Sequence, residues 1–230
     1  MSKPIVRDYS SPWINAKNSM WESVIHLGKK QCYKKNATII GNGMVIDHLY
    51  YLQSGKIRLS KIMSDGTEKI IWYLEKNTLF GETPFWDRKP MEGLFVAMEE
   101  SVVYSFSRYC IEQEILLRHP NLMLNMVESM ANKSRFLSIQ ASDLMPLKKR
   151  LCKMLLYMVE READQSTTGR IVCKSNLSQM ELAGLLGVHR VTLNHAMAKL
   201  KKEGIVEDII RGRIIIADYS RLLTSAFDLY

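Results

Sequence analysis

Residues 178–203 read Ser178-Gln-Met-Glu-Leu-Ala-Gly-Leu-Leu-Gly187-Val-His-Arg-Val-Thr-Leu-Asn-His-Ala-Met-Ala-Lys-Leu-Lys-Lys-Glu203. Ser178 and Glu181 have the S-x-x-E spacing of a capping box, in which hydroxyl and carboxylate each satisfy a free N–H at a helix start. Leu182, Leu185 and Leu186 then share one face, and Ala183 is small where two helices would cross closely. Gly187 follows where a tight turn wants positive φ. Val188 packs into the turn. From about Arg190, the residues Leu193, Met197 and Leu200 form the core stripe of a second helix. An alanine, a glycine four residues on and an apolar residue six beyond that are the marks of helix–tight turn–helix. Set in a basic segment, they predict a nucleic-acid reader.

In such a pair the second helix enters the major groove with its N-terminal residues toward the base edges. Arg190 can donate two hydrogen bonds to guanine, or pair with phosphate. Val191 offers only apolar contact, which suits a thymine methyl. Thr192 and Asn194 can bond bases or backbone, while His195 and Lys199 reach phosphates or an outer base. Ser178 and Gln179 join the candidates at the start of the first helix. Beyond Gly204, the runs Ile205–Ile210 and Arg213–Ala217 flank Arg211-Gly212 and predict a hairpin, the wing. Arg211 and Arg213 are phosphate contacts there, or plain solvated arginines. Phosphate contacts give affinity but little sequence information.

Charge agrees with this reading. The 230 residues carry a net +8 with a pI near 9.3. Residues 145–230 hold 14 Lys/Arg against 9 Asp/Glu, and residues 1–144 hold 18 against 15, so most of the excess lies in the last 86 residues. No run approaches the roughly 20 apolar residues of a membrane span. Lys3 and Arg7 are not followed by the apolar stretch of a secretory signal. The expectation is a cytoplasmic protein without membrane contact. Cys32, Cys110, Cys152 and Cys173 form no C-x-x-C pair, which excludes a zinc ribbon or dithiol motif. They are expected to be buried thiols, with one redox-active thiol as the alternative. No G-x-S-x-G, P-loop or H-E-x-x-H signature is present, so no enzyme is expected.

Upstream, Ala37 to Phe106 reads as short strands. Ile57–Ser60 alternates, Ile70–Leu74 is β-branched and aromatic, and Ser64-Asp65-Gly66-Thr67 between them predicts a type I′ hairpin. Gly41, Gly43, Gly55, Gly81 and Gly93 punctuate further strands, such as His48–Gln53 and Val102–Ser107. Many short strands with glycine turns suggest a sandwich or closed roll. From about Cys110 the period becomes helical, and His119-Pro120 ends one helix. A long helix follows from Asn121 to about Leu144. Met123, Met126, Met130, Leu137 and Ala141 form one stripe, and Leu122, Leu124, Val127, Ala131, Phe136 and Ile139 add apolar surface elsewhere. Apolar contact on more than one side predicts a helix packed on its own domain and on a second chain. Met145-Pro146 breaks it. A basic-ended helix, Leu147 to Glu162, a polar loop, Ala163 to Gly169, and a short strand at Arg170–Cys173 lead back to Ser178.

This order resembles the CRP/FNR superfamily, the cyclic-AMP receptor and fumarate–nitrate regulators. The resemblance runs from about Ala37 to Ala217 and is carried by Leu49-Tyr-Tyr-Leu-Gln-Ser-Gly-Lys-Ile-Arg-Leu59, Asp65-Gly66, Phe80-Gly-Glu82, the long helix and the helix-turn-helix. It implies an α+β protein. An N-terminal arm (1–20) would precede a β-roll (jelly-roll) sensor resembling a cyclic nucleotide-binding domain (21–118). A dimerisation helix (119–144) and a C-terminal winged helix-turn-helix (145–230) would follow. It also implies a homodimer on double-stranded DNA, reading an inverted repeat and working with RNA polymerase. An effector would reset the spacing of the two recognition helices, which must lie about 34–36 Å apart for one duplex turn.

Two departures bear on the effector. Cyclic-nucleotide binders carry Arg-Ser-Ala after Phe-Gly-Glu; this chain reads Pro90-Met-Glu-Gly-Leu-Phe95, so Glu92 would repel a phosphate unless Arg88 or Lys89 swings in. The N-terminal cysteine cluster of iron–sulfur members is missing. No cofactor is assigned, with haem on His26, His48 or His119 left open, and redox or nitric oxide sensing as the alternative within the family. A cyclic-nucleotide-type module without DNA binding is the alternative outside it. Gly-Val-His-x-Val-Thr at 187–192 and the missing phosphate arginine resemble the halorespiration regulators of the CprK kind, which sense chlorinated aromatic acids or phenols. The resemblance implies an aromatic, anionic effector held by Tyr73, Phe80, Gly81, Glu82, Thr83, Lys133, Phe136 and Leu137. Val191 stands where family members commonly place a glutamate that accepts from cytosine, which implies an A·T-rich half-site.

Overall fold

The computed structural model describes residues 12–14, 17–142, 145–164, 171–174, 177–210 and 212–227. The chain divides into two compact units, one of Pro12–Met63 with Ile70–Ser138, the other of Ile139–Tyr230 with Ser64–Lys69. Most of the arm expected over 1–20 lies outside the described residues. The first unit begins with strand β1 (Trp13–Ile14) and a 3-10 helix, Ser19–Leu27.

Strands β2 (Lys29–Tyr33), β3 (Thr38–Ile40), β4 (His48–Ser54), β5 (Lys56–Ile62), β6 (Glu68–Glu75) and β7 (Thr78–Phe80) follow. Helix α1 (Glu82–Asp87), strands β8 (Leu94–Ala97) and β9 (Ser101–Ser107), a π-helical turn (Cys110–Ile115), α2 (Leu116–Arg118) and α3 (Pro120–Ser142) complete the series. One sheet has the order β1-β6-β5-β8-β3 and the other β2-β9-β4-β7. Strand β4 lies inside its sheet with both faces covered. Side chains alternate across a strand, so Leu49 and Tyr51 enter a core with Trp21, Phe85, Phe106, Leu122 and Met126. Tyr50 and Leu52 enter a second core with Trp72, Phe80, Phe95 and Phe136. Each large apolar side chain so buried contributes about 1.5–3 kcal/mol.

The expected hairpin at Asp65-Gly66 is present, but its turn is not type I′. Five residues, Met63–Thr67, separate β5 from β6, and of the two central residues only Gly66 has positive φ. Asp65 instead closes the loop with its side chain, its carboxylate accepting from Thr67 N–H at 2.9 Å. Exposed side chain–backbone bonds of this kind are an aspartate's usual service in turns.

The second unit contains α4 (Leu147–Glu162), β10 (Ala163–Asp164), β11 (Ile171–Lys174), α5 (Gln179–Leu186), α6 (Arg190–Lys202), β12 (Val206–Ile210), β13 (Arg213–Ile216) and α7 (Tyr219–Phe227). Its antiparallel sheet runs β10-β11-β13-β12. The loop expected over Ala163–Gly169 begins as strand β10, and residues 165–169 lie outside those described. Buried Leu151, Leu155 and Leu156 of α4 form its inner face, and Leu222 and Ala226 of α7 are buried too. Helix α7 packs along α4, a helix that the sequence reading did not include.

Candidate nucleic-acid interface and the inner cluster of the roll

The capping box at α5 is formed in full. Ser178 Oγ accepts from Glu181 N–H at 3.2 Å, and Ser178 N–H donates to Glu181 Oε2 at 2.7 Å. The helix ends in a Schellman turn. Gly187 has φ +61°, its N–H donates to the Gly184 carbonyl at 3.0 Å, and Val188 N–H donates to the Ala183 carbonyl at 3.1 Å. These bonds satisfy carbonyls the helix leaves free. They also turn the chain sharply enough for His189 to start α6 two residues after the glycine.

Helix α6 is two-faced. Leu193, Met197 and Leu200 are buried, with Leu182, Ala183, Leu185 and Leu186 of α5 also in the core. Arg190, Val191, Thr192, Asn194, His195 and Lys199 are all exposed, as are Ser178 and Gln179 at the start of α5. Val191 is 65% exposed. Arg190, Lys199 and Arg213 make no ion pair among the described residues. The wing pairs Ile209 with Ile214 and Ile210 with Arg213, around Gly212 at φ +85°. Lys201 Nζ ties the end of α6 to β12 through Asp208 at 2.7 Å. Arg213 is exposed; Arg211 lies outside the described residues. Exposed Met180, next to Gln179, was not anticipated. Its place one residue into the first helix was the available signal.

The second constellation belongs to the roll. Lys133 of α3 and Glu82 of α1 are buried and paired at 2.5 Å, and Lys133 Nζ also donates to the Leu79 carbonyl at 2.6 Å. Nearby in sequence, the hydroxyls of Thr78 and Ser129 are buried without a hydrogen-bond partner. Phe80 stacks on Tyr50 at 5.3 Å and meets Phe95 at a tilt at 5.0 Å, and Phe136 meets Trp72 edge-on at 6.1 Å. Gly81 adopts φ +80°, and a Cβ there would press on Tyr50 and Ile46.

Several expected effector residues are not in this cluster. Tyr73 stacks on Trp13 at 5.5 Å, outside the core that holds its neighbours Trp72 and Leu74. Alternation along β6 turns it to the other side, and Trp72 takes the place expected of it. Thr83 and Leu137 are exposed. The stripe on α3 also needs correction. Met126 is buried in the core of its own unit, and Met123 and Met130 pack against that core. Of the expected stripe Leu137 is exposed, at 42%, and Leu124 and Val127 beside it are more so, at 68% and 58%. The side chain of Ala141 lies outside the described residues. Glu92 is exposed and pairs with Lys61 at 2.8 Å. Arg88 and Lys89 are exposed on the loop after α1. His26 is exposed and His48 pairs with Asp47 at 2.6 Å. Among the described residues no group of three or more His, Cys, Asp and Glu is placed to hold a metal, and no helix is long and apolar enough to cross a membrane.

The cysteines differ in setting. Cys110, Cys152 and Cys173 are buried, but Cys32 is exposed on β2, contrary to expectation. Burial pushes the Cys152 thiol up to about 11 and raises that of Cys110.

Residues 30–116 match the cyclic nucleotide-binding domain family and residues 149–224 the Crp-like helix-turn-helix domain family. A CRP-like cAMP-activated global transcriptional regulator of Mycobacterium tuberculosis (strain CDC 1551 / Oshkosh) is 26% identical over 197 residues, 84% of this chain and 86% of that protein. The anaerobic regulatory protein of Bacillus subtilis (strain 168) is 23% identical, covering 89% of this chain and 87% of its own. The solved structure of a CprK variant complexed with OCPA shares the fold with a TM-score of 0.74 and 21% identity, over 94% of this chain and 99% of that one. These relatives are regulators, not enzymes. With a cyclic nucleotide-binding-type domain followed by a Crp-like helix-turn-helix domain, the chain belongs to the CRP/FNR family of DNA-binding transcription regulators.

Proposed function

We propose that this regulator binds an inverted repeat with A·T-rich half-sites as a homodimer, and that its effector is a small aromatic acid or phenol held beside Lys133. The exposed valine at the head of α6 carries the DNA part. Valine cannot accept from cytosine N4, but it fits a thymine methyl, while Arg190 beside it supplies a bidentate donor.

Two observations support the effector class. Lys133 is a buried ammonium with three donors, of which Glu82 and the Leu79 carbonyl take two, so one remains for an anionic ligand. Trp72, Phe80 and Phe136 supply apolar walls, and the partnerless hydroxyls of Thr78 and Ser129 supply polar contacts of the kind a ligand uses for orientation. A cyclic phosphate has no arginine in the loop after Gly81-Glu82 to receive it before Arg88.

For the dimer, Leu124, Val127 and Ala131 recur at spacings of three and four on the exposed side of α3. That is the seam of a two-helix coil, and small Ala131 allows close approach. Selection from a randomised duplex pool, with and without chlorinated phenols, tests the whole proposal. Enrichment of a TTAA-type palindrome that sharpens with ligand is expected. Half-sites rich in G·C, or no heat on titrating chlorophenolic acids, would count against it.

A further inference from the structure

The first turn of α4 touches the helix pair at two separated points. Arg150 Nη1 donates to the carbonyl of Leu186, the last residue of α5, at 2.6 Å. Lys148 Nζ pairs at 2.6 Å with Glu203, the residue that follows α6. Helix α4 packs against both α5 and α6. The carbonyl that Arg150 holds is one a helix C-terminus leaves unsatisfied, and a cation is favoured there by the helix dipole. It lies at the glycine turn, so the guanidinium grips the joint where α6 begins, while Lys148 grips the end where α6 stops.

Neither side chain belongs to the exposed reading face. Arg150 is half-buried and its Nε is enclosed without a partner, and Lys148 is 37% exposed but already engaged by Glu203. Glu203 is further fixed by Arg221, whose Nη1 donates to the Glu203 carbonyl at 3.1 Å. The start and the end of α6 are thus both set by one helix.

We infer that Lys148 and Arg150 are positioning residues for base selection: from the first turn of α4 they fix the angle at which α6 presents Arg190 and Val191. The inference rests on α6 being the reading helix. Bidentate recognition tolerates displacements of only about 0.5 Å, so freeing either end of α6 should blur base preference without removing any DNA contact.

The test compares full-length wild type with Arg150→Gln, Arg150→Lys and Lys148→Met. Melting temperature, base preference from randomised duplexes, and the slope of log affinity against log salt are measured for each. For Arg150→Gln, the preference at the positions read by Arg190 and Val191 should fall about tenfold, with the salt slope unchanged. Arg150→Lys should recover part of the preference, since it keeps the cation. Lys148→Met, at a side chain 37% exposed, should blur preference with a near-native melting temperature. A lower melting temperature with intact base preference would make these residues merely structural and overturn the inference. A slope reduced by about 0.9 would mark a direct phosphate contact and overturn it too. Should wild type itself select no sequence, the reading of α6 fails rather than the clamp.

Discussion

Lys133 Nζ lies 2.5 Å from Glu82 Oε1, joining α3 to the start of α1, and both residues are buried. A buried pair of this kind costs desolvation that its attraction offsets only while both partners stay. Lys133→Met alone should therefore destabilise the fold by about 3–5 kcal/mol, by stranding the glutamate. Glu82→Gln with Lys133→Met should restore most of that loss. Urea unfolding of the two variants checks it; equal losses in single and double variants would show that the pair is not coupled. If Lys133 holds the effector, both variants should also lose ligand heat in calorimetry.

At the DNA face, Val191→Glu should bring in a cytosine at one half-site position, since a carboxylate accepts from its N4. Arg190→Ala should cost about 1–3 kcal/mol, confined to one base pair. Selection followed by sequencing reads both. An unchanged preference in Val191→Glu would remove Val191 from the base contacts.

Leu124→Glu and Val127→Glu act on exposed side chains, so the monomer fold should survive. Sedimentation should show monomers. Affinity for a two-half-site duplex should fall about 100-fold or more, because linked binding of two heads is lost. Dimers that persist in both variants would place the seam elsewhere.

Only Cys32 should react with iodoacetamide in the native protein at pH 8, with Cys110, Cys152 and Cys173 labelled after unfolding. The raised Cys152 pKa has a stability consequence of definite sign. The folded state holds the thiol proton more tightly than the unfolded chain, whose thiol titrates near 9.0. The associated stability is present below pH 9.0 and is lost as pH rises toward about 11. Cys152→Ala should flatten the fall in melting temperature across that window; a curve that stays parallel to wild type would assign the fall to other groups.

What was legible in the sequence was local. Ser178 and Glu181 are three residues apart, and Gly187 acts within four residues of Ala183, so the helix pair declares itself in a short window. The bounds of α4, Leu147 to Glu162, came from one break and one period in the same way. What was missed depends on facing. Tyr73 and Trp72 are both aromatic, and a strand buried on both sides does not say which of them looks toward Phe136. Helix α3 has apolar residues on two sides, and only packing shows that Met126 faces inward and Leu124 outward. Arg150 meets Leu186 across 36 residues, and no local pattern marks a cation for a distant carbonyl. The turn at Asp65-Gly66 departs from type I′ because a side-chain bond to Thr67 closes the loop in place of the two positive-φ residues that a type I′ turn requires.

Strand β4 gives Leu49 and Tyr51 to one core and Tyr50 and Leu52 to the other. It is a party wall between two rooms, and neither room can be emptied while the other stands. Slipping this strand by a single residue would exchange the occupants of both at once, so the sensor has no half-melted form to fall back on. Amides on its two sides should surrender their protection together, at one denaturant concentration.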